Sequence, residues 1–202
     1  ADARETRTRI DLVQTKLMSK GEFRIDSAYL DAIRYWIGGS YYEHKEEGLD
    51  GEGAFETGAI FKNREIEARV EAQFKPVDIV VGSLTTAIGV QAGRQSIGTS
   101  GEAGGLLAPA TNQSIAAYIF NELALRPGTR LQAAGRIEHA RVAGTGAVFP
   151  VDLLGASGEP VDDPRTSRFL PVSLSLGLLQ DLPFGFVGSL TGQYVERAPK
   201  PS

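Results

Sequence analysis

The chain has 202 residues, a formal net charge of −4, 42% hydrophobic and 23% charged residues, and no cysteine. These values exclude a disulfide scaffold, a cysteine-ligated metal site and a strongly disordered chain, and the acidic balance argues against nucleic acid as a partner. No stretch of the sequence approaches the roughly 18 consecutive apolar residues of a membrane-spanning helix.

Apolar and polar residues alternate with a period of two along most of the chain, which predicts β-strands. In residues 64–75, the even positions from Ile66 to Phe74 are apolar, and the odd positions from Glu65 to Lys75 are polar. Eight strands are predicted, in chain order at 8–23, 30–43, 64–75, 80–92, 112–125, 131–138, 169–180 and 184–196. The predicted fold class is therefore all-β, a long antiparallel meander of about eight strands.

The length of the strands and the alternation of their connections both indicate a membrane barrel. Most of these strands have about 12 to 16 residues, against about 5 to 6 in soluble proteins, and a tilted strand of that length rises about 33 Å. Short turns at 26–27, 76–78, 126–128 and 181–183 alternate with long connections at 44–59, 94–110 and 143–167. Outer-membrane barrels sort their periplasmic turns and extracellular loops in this way, so the meander is predicted to be part of a transmembrane β-barrel.

Several segments resemble the barrel of TonB-dependent outer-membrane receptors. They are YYEH at 41–44 with the acidic connection after it, IFKNR at 60–64, NELAL at 121–125, RIEH at 136–139 and YVERAP at 194–199. The Arg-Ala-Pro triplet that begins at Arg197 is the most characteristic of these. Within the family, the chain is most similar to receptors for zinc, other metals or siderophores.

The resemblance implies that residues 1–202 are an internal section of a receptor barrel in the bacterial outer membrane, with no plug domain. It implies import of a metal ion or metal complex (siderophore, haem or zinc), with energy from the TonB complex acting through a plug. The lipid bilayer and lipopolysaccharide would surround this wall, and no cofactor or nucleic-acid partner is expected. Two alternatives remain: a self-contained eight-stranded outer-membrane barrel, structural or a small porin, and a soluble β-sandwich binding module.

The sequence carries no catalytic motif such as G-x-S-x-G, a P-loop or H-E-x-x-H, so a non-enzyme is expected. Carboxylate pairs such as Glu65 and Glu67 continue a regular polar face and are interpreted as a solvated lumen wall. The predicted lumen-facing residues are Glu65, Glu67, Arg69 and Glu71. The predicted lipid-facing residues are Ile66, Val70, Val172, Leu174 and Leu190.

Candidate ligand contacts lie in the first long connection and at the end of the chain. His44 with Glu46, Glu47 and Asp50 could offer an imidazole and carboxylates to a divalent cation, and the alternative is a solvated acidic loop tip. Arg197 is expected either to order the junction of strand and loop through hydrogen bonds or to contact the substrate. The identity of any metal stays open.

Overall fold

The structure, a computed structural model, describes residues 8–49, 54–101, 109–148 and 161–199. These residues form ten β-strands in one antiparallel sheet. The strands are β1 (Thr8–Arg24), β2 (Leu30–Leu49), β3 (Phe55–Phe74), β4 (Val77–Ile79), β5 (Gly82–Gly101), β6 (Ala110–Arg126), β7 (Thr129–Val148), β8 (Val161–Phe169), β9 (Val172–Asp181) and β10 (Val187–Val195).

The main path of the sheet is β1-β2-β3-β5-β6-β7-β9-β10, and every neighbour on it is antiparallel. The predicted all-β meander is confirmed. The short β4 pairs with β5. Both β8 and β9 pair with β7, β8 with its residues 140–148 and β9 with its residues 129–137. The strand predicted at 169–180 starts only at Val172, because Pro171 has no N–H for the ladder and interrupts it.

The sheet is open and has a single layer. Among the described residues, β1 pairs only with β2 and β10 only with β9, so these two strands do not close a barrel with each other. A β-sandwich would need a second sheet packed on the first, and all described strands belong to one sheet. The arrangement therefore differs from both alternative folds.

The large apolar side chains are not buried within this sheet. The buried apolar residues of the described ranges are four alanines, Ala32, Ala59, Ala116 and Ala140, whereas Leu17 is 77% and Leu190 75% exposed. A single sheet covers neither of its own faces, so apolar residues that would form the core of a sandwich stay bare here. Such a large apolar surface indicates contact with lipid or with another protein.

The strands extend well into the connections predicted at 44–59, 94–110 and 143–167. Described residues 44–49, 55–59, 94–101, 110, 143–148 and 161–167 all lie in strands, and residues 50–53, 102–108 and 149–160 lie outside the described ranges. In the outer part of β2, charged residues occupy both faces: Glu43 and Lys45 lie on one, and Glu46 lies beside His44 on the other. The apolar alternation is lost there although the backbone ladder continues, which is why the sequence pattern ended too early.

At the opposite end of the strands, two short connections differ from the prediction. The predicted turn at 76–78 is wrong, because Val77–Ile79 forms β4 and the chain reverses at Val80 and Val81. Gly82 follows with φ +145°, and a Cβ there would lie 2.1 Å from the Ala124 carbonyl oxygen. The strand predicted from residue 184 begins at Val187, since Pro183–Gly185 form a single 3-10 turn.

Candidate functional site

Strand register sorts the side chains onto two faces of different chemistry, because directly paired residues point to the same side of a sheet. One rung consists of Val70, Val90, Ala117, Ile137 and Val172. We call the side that carries this rung the apolar face. By strand parity, it also carries Ile66, Leu174 and Leu190, so the five residues interpreted as lipid-facing share one side of the sheet.

The other side is the polar face, and the four residues interpreted as lumen-facing lie on it: Glu65, Glu67, Arg69 and Glu71. Arg69 pairs across the ladder with Trp36 on β2 and with Gln91 on β5. The period-two pattern of β3 therefore matches a real division of the sheet, and neighbouring strands continue it.

At the centre of the polar face, a buried carboxylate is held by an arginine and a tyrosine. Arg69 Nη2 donates to Glu71 Oε2 at 2.6 Å, and the Tyr118 hydroxyl donates to the same oxygen at 2.7 Å. Arg69 Nε donates to the Tyr118 hydroxyl at 2.6 Å, and the guanidinium lies 4.4 Å from the Trp36 ring centroid. Glu71 is only 7% exposed. These contacts offset the cost of burying its charge, and we call the four residues the Arg69 cluster.

Tyr118 reaches this cluster by lying across a glycine. Tyr118 is on β6 and Glu71 on β3, with β5 between them, and Gly89 of β5 is the register partner of both. A Cβ on Gly89 would lie 2.2 Å from Tyr118 Cζ and Oη. The missing side chain at Gly89 is therefore what allows the ring to bridge two strands.

Further hydrogen bonds extend the polar network to β7. Gln91 Nε2 donates to Glu67 Oε1 at 2.8 Å, and Arg136 Nη1 donates to Gln91 Oε1 at 2.8 Å. Arg136 Nη2 also donates to Glu138 Oε2 at 2.7 Å. An open groove of about 510 Å³ runs over these strands between the Arg69 cluster and β9. The groove offers hydrogen-bond donors and acceptors, and charged groups of both signs, to a polar ligand or to a polar protein segment.

The proposed metal-binding residues are only partly brought together. His44 and Glu46 share the polar face, with His44 Nε2 3.5 Å from Glu46 Oε1. The His44 ring stacks on Phe61 at 4.4 Å, and the Tyr42 hydroxyl lies 2.9 Å from its Nδ1. Glu47 points to the opposite side, where its carboxylate lies 3.1 Å from Arg9 Nε.

No group of three or more His, Asp or Glu residues within the described ranges is arranged to hold a metal ion. Asp50 lies outside those ranges. The pair His44 and Glu46 is thus the part of the proposed ligand set that the structure places together.

At the end of β10, Arg197 does not take the first of its two expected roles, which was to order the junction of strand and loop. Arg197 is exposed and makes no hydrogen bond or ion pair with another described residue. The preceding Glu196 orders the junction instead, since its carboxylate accepts the Val172 N–H at 2.9 Å and the Tyr194 hydroxyl at 2.6 Å. Arg197 borders a small cleft beside Glu138 and Pro171, where it remains accessible to a ligand.

Sequence reasoning did not identify Trp36, Gly89 or Tyr118. Each lies on the polar face of its own strand. The sequence around each residue does not show that β2, β5 and β6 bring the three together. The signal that could have found them is the register, in which Trp36 pairs with Arg69, and Gly89 pairs with both Glu71 and Tyr118.

No helix among the described residues is long and apolar enough to cross a membrane.

No protein-family model matches the chain, and no curated protein sequence matches it. Solved structures do match. The ferric-catecholate import receptor Fiu from E. coli K12, in its open form, aligns at a TM-score of 0.67 and 14% identity over 94% of this chain and 36% of its own. The copper transporter OprC aligns at a TM-score of 0.69 and 14% identity over 94% of this chain and 30% of its own.

The chain spans about a third of the length of these two proteins, an import receptor and a transporter. Their similarity concerns the fold, and it extends over nearly all of the sheet described above. The chain therefore has the fold of a section of an outer-membrane β-barrel wall.

Proposed function

We propose that this chain is a wall section of a bacterial outer-membrane receptor that imports a metal ion or metal complex with energy from the TonB complex. The apolar face contacts lipid and the polar face lines the lumen. The strand ends at Leu49, Phe55, Gly101, Ala110, Val148 and Val161 lie on the extracellular side. A plug domain outside this section would couple the receptor to TonB.

The observation that carries this proposal is the tilt of the apolar band across the sheet. The apolar band ends, toward the long connections, at Val13, Tyr41, Ile66, Ala92, Ile115, Ile137, Val172 and Tyr194 of successive main strands. Followed through the register, this boundary drifts by ten residues over seven strand-to-strand steps.

The boundary moves along the strands by ten residues of about 3.3 Å each while it crosses seven strand-to-strand spacings of about 4.8 Å each. This ratio corresponds to a strand tilt of roughly 45°. Membrane barrels tilt their strands by about 35–45°. On β1, Phe23 and Val13 bound the band and lie ten residue-to-residue steps apart, which is about 33 Å along the strand and about 23 Å after the tilt. That height agrees with the lipid-facing band of outer-membrane barrels, about 25 Å.

The polar face supports a lumen rather than a packed core. Arg69, Glu71, Arg136 and Glu138 form charge-assisted hydrogen bonds on a face that no other described element covers. A water-filled or plug-filled barrel interior accommodates such charges, whereas lipid does not. The metal class is supported by the similar structures, of which one is a ferric-catecholate import receptor and the other a copper transporter.

Uptake by the full-length protein tests this proposal. The protein would be produced in an outer membrane that lacks its own metal receptors, and entry of radiolabelled iron-catecholate, copper and zinc would be measured. We expect uptake of at least one of these, abolished by a proton-motive-force uncoupler or by loss of TonB. Correct insertion with no uptake, or with uptake that the uncoupler leaves unchanged, would contradict energised metal import.

A further inference from the structure

Three arginines share one rung of the apolar face, at the edge of the apolar band toward the long connections. Arg94 pairs with Gln113, Gln113 pairs with Arg141, and Arg141 pairs with Arg168. All four residues therefore form one rung across β5, β6, β7 and β8. We call Arg94, Arg141 and Arg168 the arginine row.

Nothing within the described part of the chain neutralises this row. Arg94, Arg141 and Arg168 are exposed, and none of them makes a hydrogen bond or ion pair with another described residue. Arg141 and Arg168 are direct register partners, and like charges placed opposite each other destabilise a sheet. Over residues 82–101, 110–126, 129–145, 164–168 and 172–181, this face carries no Asp or Glu.

Other arginines of the chain are treated differently. On the polar face, Arg34 is paired with Glu22, Arg69 with Glu71 and Arg136 with Glu138. On the apolar face of β2 and β3, Glu43 lies within 4 Å of both Lys45 and Lys62. The arginine row is thus a place where the sheet assembles positive charge without supplying the anion.

The surroundings of the row point to an amphiphilic anion. Directly below it on the same face are Ala92, Ile115 and His139, and Ile137 follows His139 as the upper edge of the apolar band on β7. At the other end of the band lies a basic residue, Arg126, whose Nε already donates a hydrogen bond to Thr129 Oγ1 at 3.1 Å. The charge is therefore concentrated at one boundary of the band, which suits a membrane with two different leaflets.

We propose that the arginine row binds the phosphate groups of lipid A in the outer leaflet, while the acyl chains cover the apolar band beneath. Guanidinium groups bind phosphate through paired N–H donors, and neighbouring strands space the row at about 5 Å per step, so one bisphosphorylated headgroup contacts several arginines. This inference rests on the proposed membrane location and goes beyond the import function. It assigns a lipid site on the outside of the wall.

Lipid binding by the full-length receptor in detergent tests the site. The double variant Arg141→Gln/Arg168→Gln would be compared with Lys16→Gln/Lys20→Gln, which removes the same charge from the polar face. Native mass spectrometry would measure retention of bisphosphorylated lipid A, dephosphorylated lipid A and phosphatidylcholine. We expect the arginine variant to bind bisphosphorylated lipid A about thirtyfold more weakly and the lysine variant to bind it like the wild type. The dephosphorylated lipid should bind both proteins weakly.

Equal retention of bisphosphorylated lipid A by the arginine variant and the wild type would overturn the inference, and so would equal binding of the dephosphorylated lipid by the wild type. Heat-modifiable migration on gels would verify that each variant is folded. If the double variant does not fold, Arg168→Gln alone carries the test, because Arg168 lies at the end of the row. A receptor that folds in membranes but does not bind lipid A would refute the lipid site alone. A protein that stays folded and monomeric without detergent would refute the proposed function.

Discussion

Gly89 is the position where a single methyl group tests the organisation of the polar face. The substitution Gly89→Ala would place a Cβ 2.2 Å from the Cζ and Oη atoms of Tyr118, so the ring must leave its position across β5. Tyr118 would then lose its hydrogen bonds to Glu71 at 2.7 Å and to Arg69 at 2.6 Å. The nearly buried Glu71 would keep Arg69 as its charged partner.

Two hydrogen bonds to charged groups are worth about 1.5–3 kcal/mol each, and replacing glycine by alanine returns about 0.4–1 kcal/mol through the unfolded chain. The Arg69 side chain is 37% exposed, which favours the lower end of this range. We therefore expect Gly89→Ala to lower the free energy of unfolding by about 2–4 kcal/mol.

Urea unfolding in lipid vesicles measures this change, with Trp36 as a reporter because its ring lies 4.4 Å from the Arg69 guanidinium. Gly93→Ala is the matched control on the same strand and face. A Cβ at Gly93 would lie 3.7 Å from Ser114 Oγ, an ordinary contact, so its stability should stay within about 0.5 kcal/mol of the wild type. Equal losses in the two variants, or no loss in Gly89→Ala, would refute the role given to Tyr118.

Two further predictions use residues that are close in sequence and lie on opposite faces. Leu176→Arg on the apolar face of β9 should reduce stability in vesicles by about 2–4 kcal/mol, whereas Ser175→Arg on the polar face should cost far less, and similar losses would contradict the assignment of the faces. Calorimetric Zn²⁺ or Cu²⁺ titration of the full-length protein should show weaker binding after His44→Ala or Glu46→Ala and unchanged binding after Glu47→Ala. A loss caused by Glu47→Ala alone would contradict the ligand pair.

The alternation of apolar and polar residues was sufficient to predict the strands near the middle of the sheet. In β3 and β9, one side of each strand is apolar and the other polar, so alternation is itself the physical signal of a sheet between two different solvents. The same pattern assigned Ile66 and Arg69 to different faces. The membrane wall was predicted from the length of the strands and the alternation of short and long connections.

The rest depended on register and on backbone chemistry that alternation does not report. Glu47 was grouped with His44 because the region was interpreted as a loop, and once β2 extends to Leu49, the two residues have opposite parity. The Arg69 cluster and the arginine row each align residues far apart in sequence, so neither is visible in any single strand. β4 escaped prediction because three residues are too few to show a period.

The central claim is that β3 separates lipid from water, and site-directed spin labelling measures this most directly. The chain contains no cysteine, so single cysteines can be introduced at Glu65, Ile66, Glu67 and Ala68 without background from this section. In the full-length protein in vesicles, labels at 66 and 68 should collide mainly with oxygen, which enters lipid, and labels at 65 and 67 mainly with a water-soluble nickel chelate. Equal accessibility at all four positions, or the reverse alternation, would contradict the account.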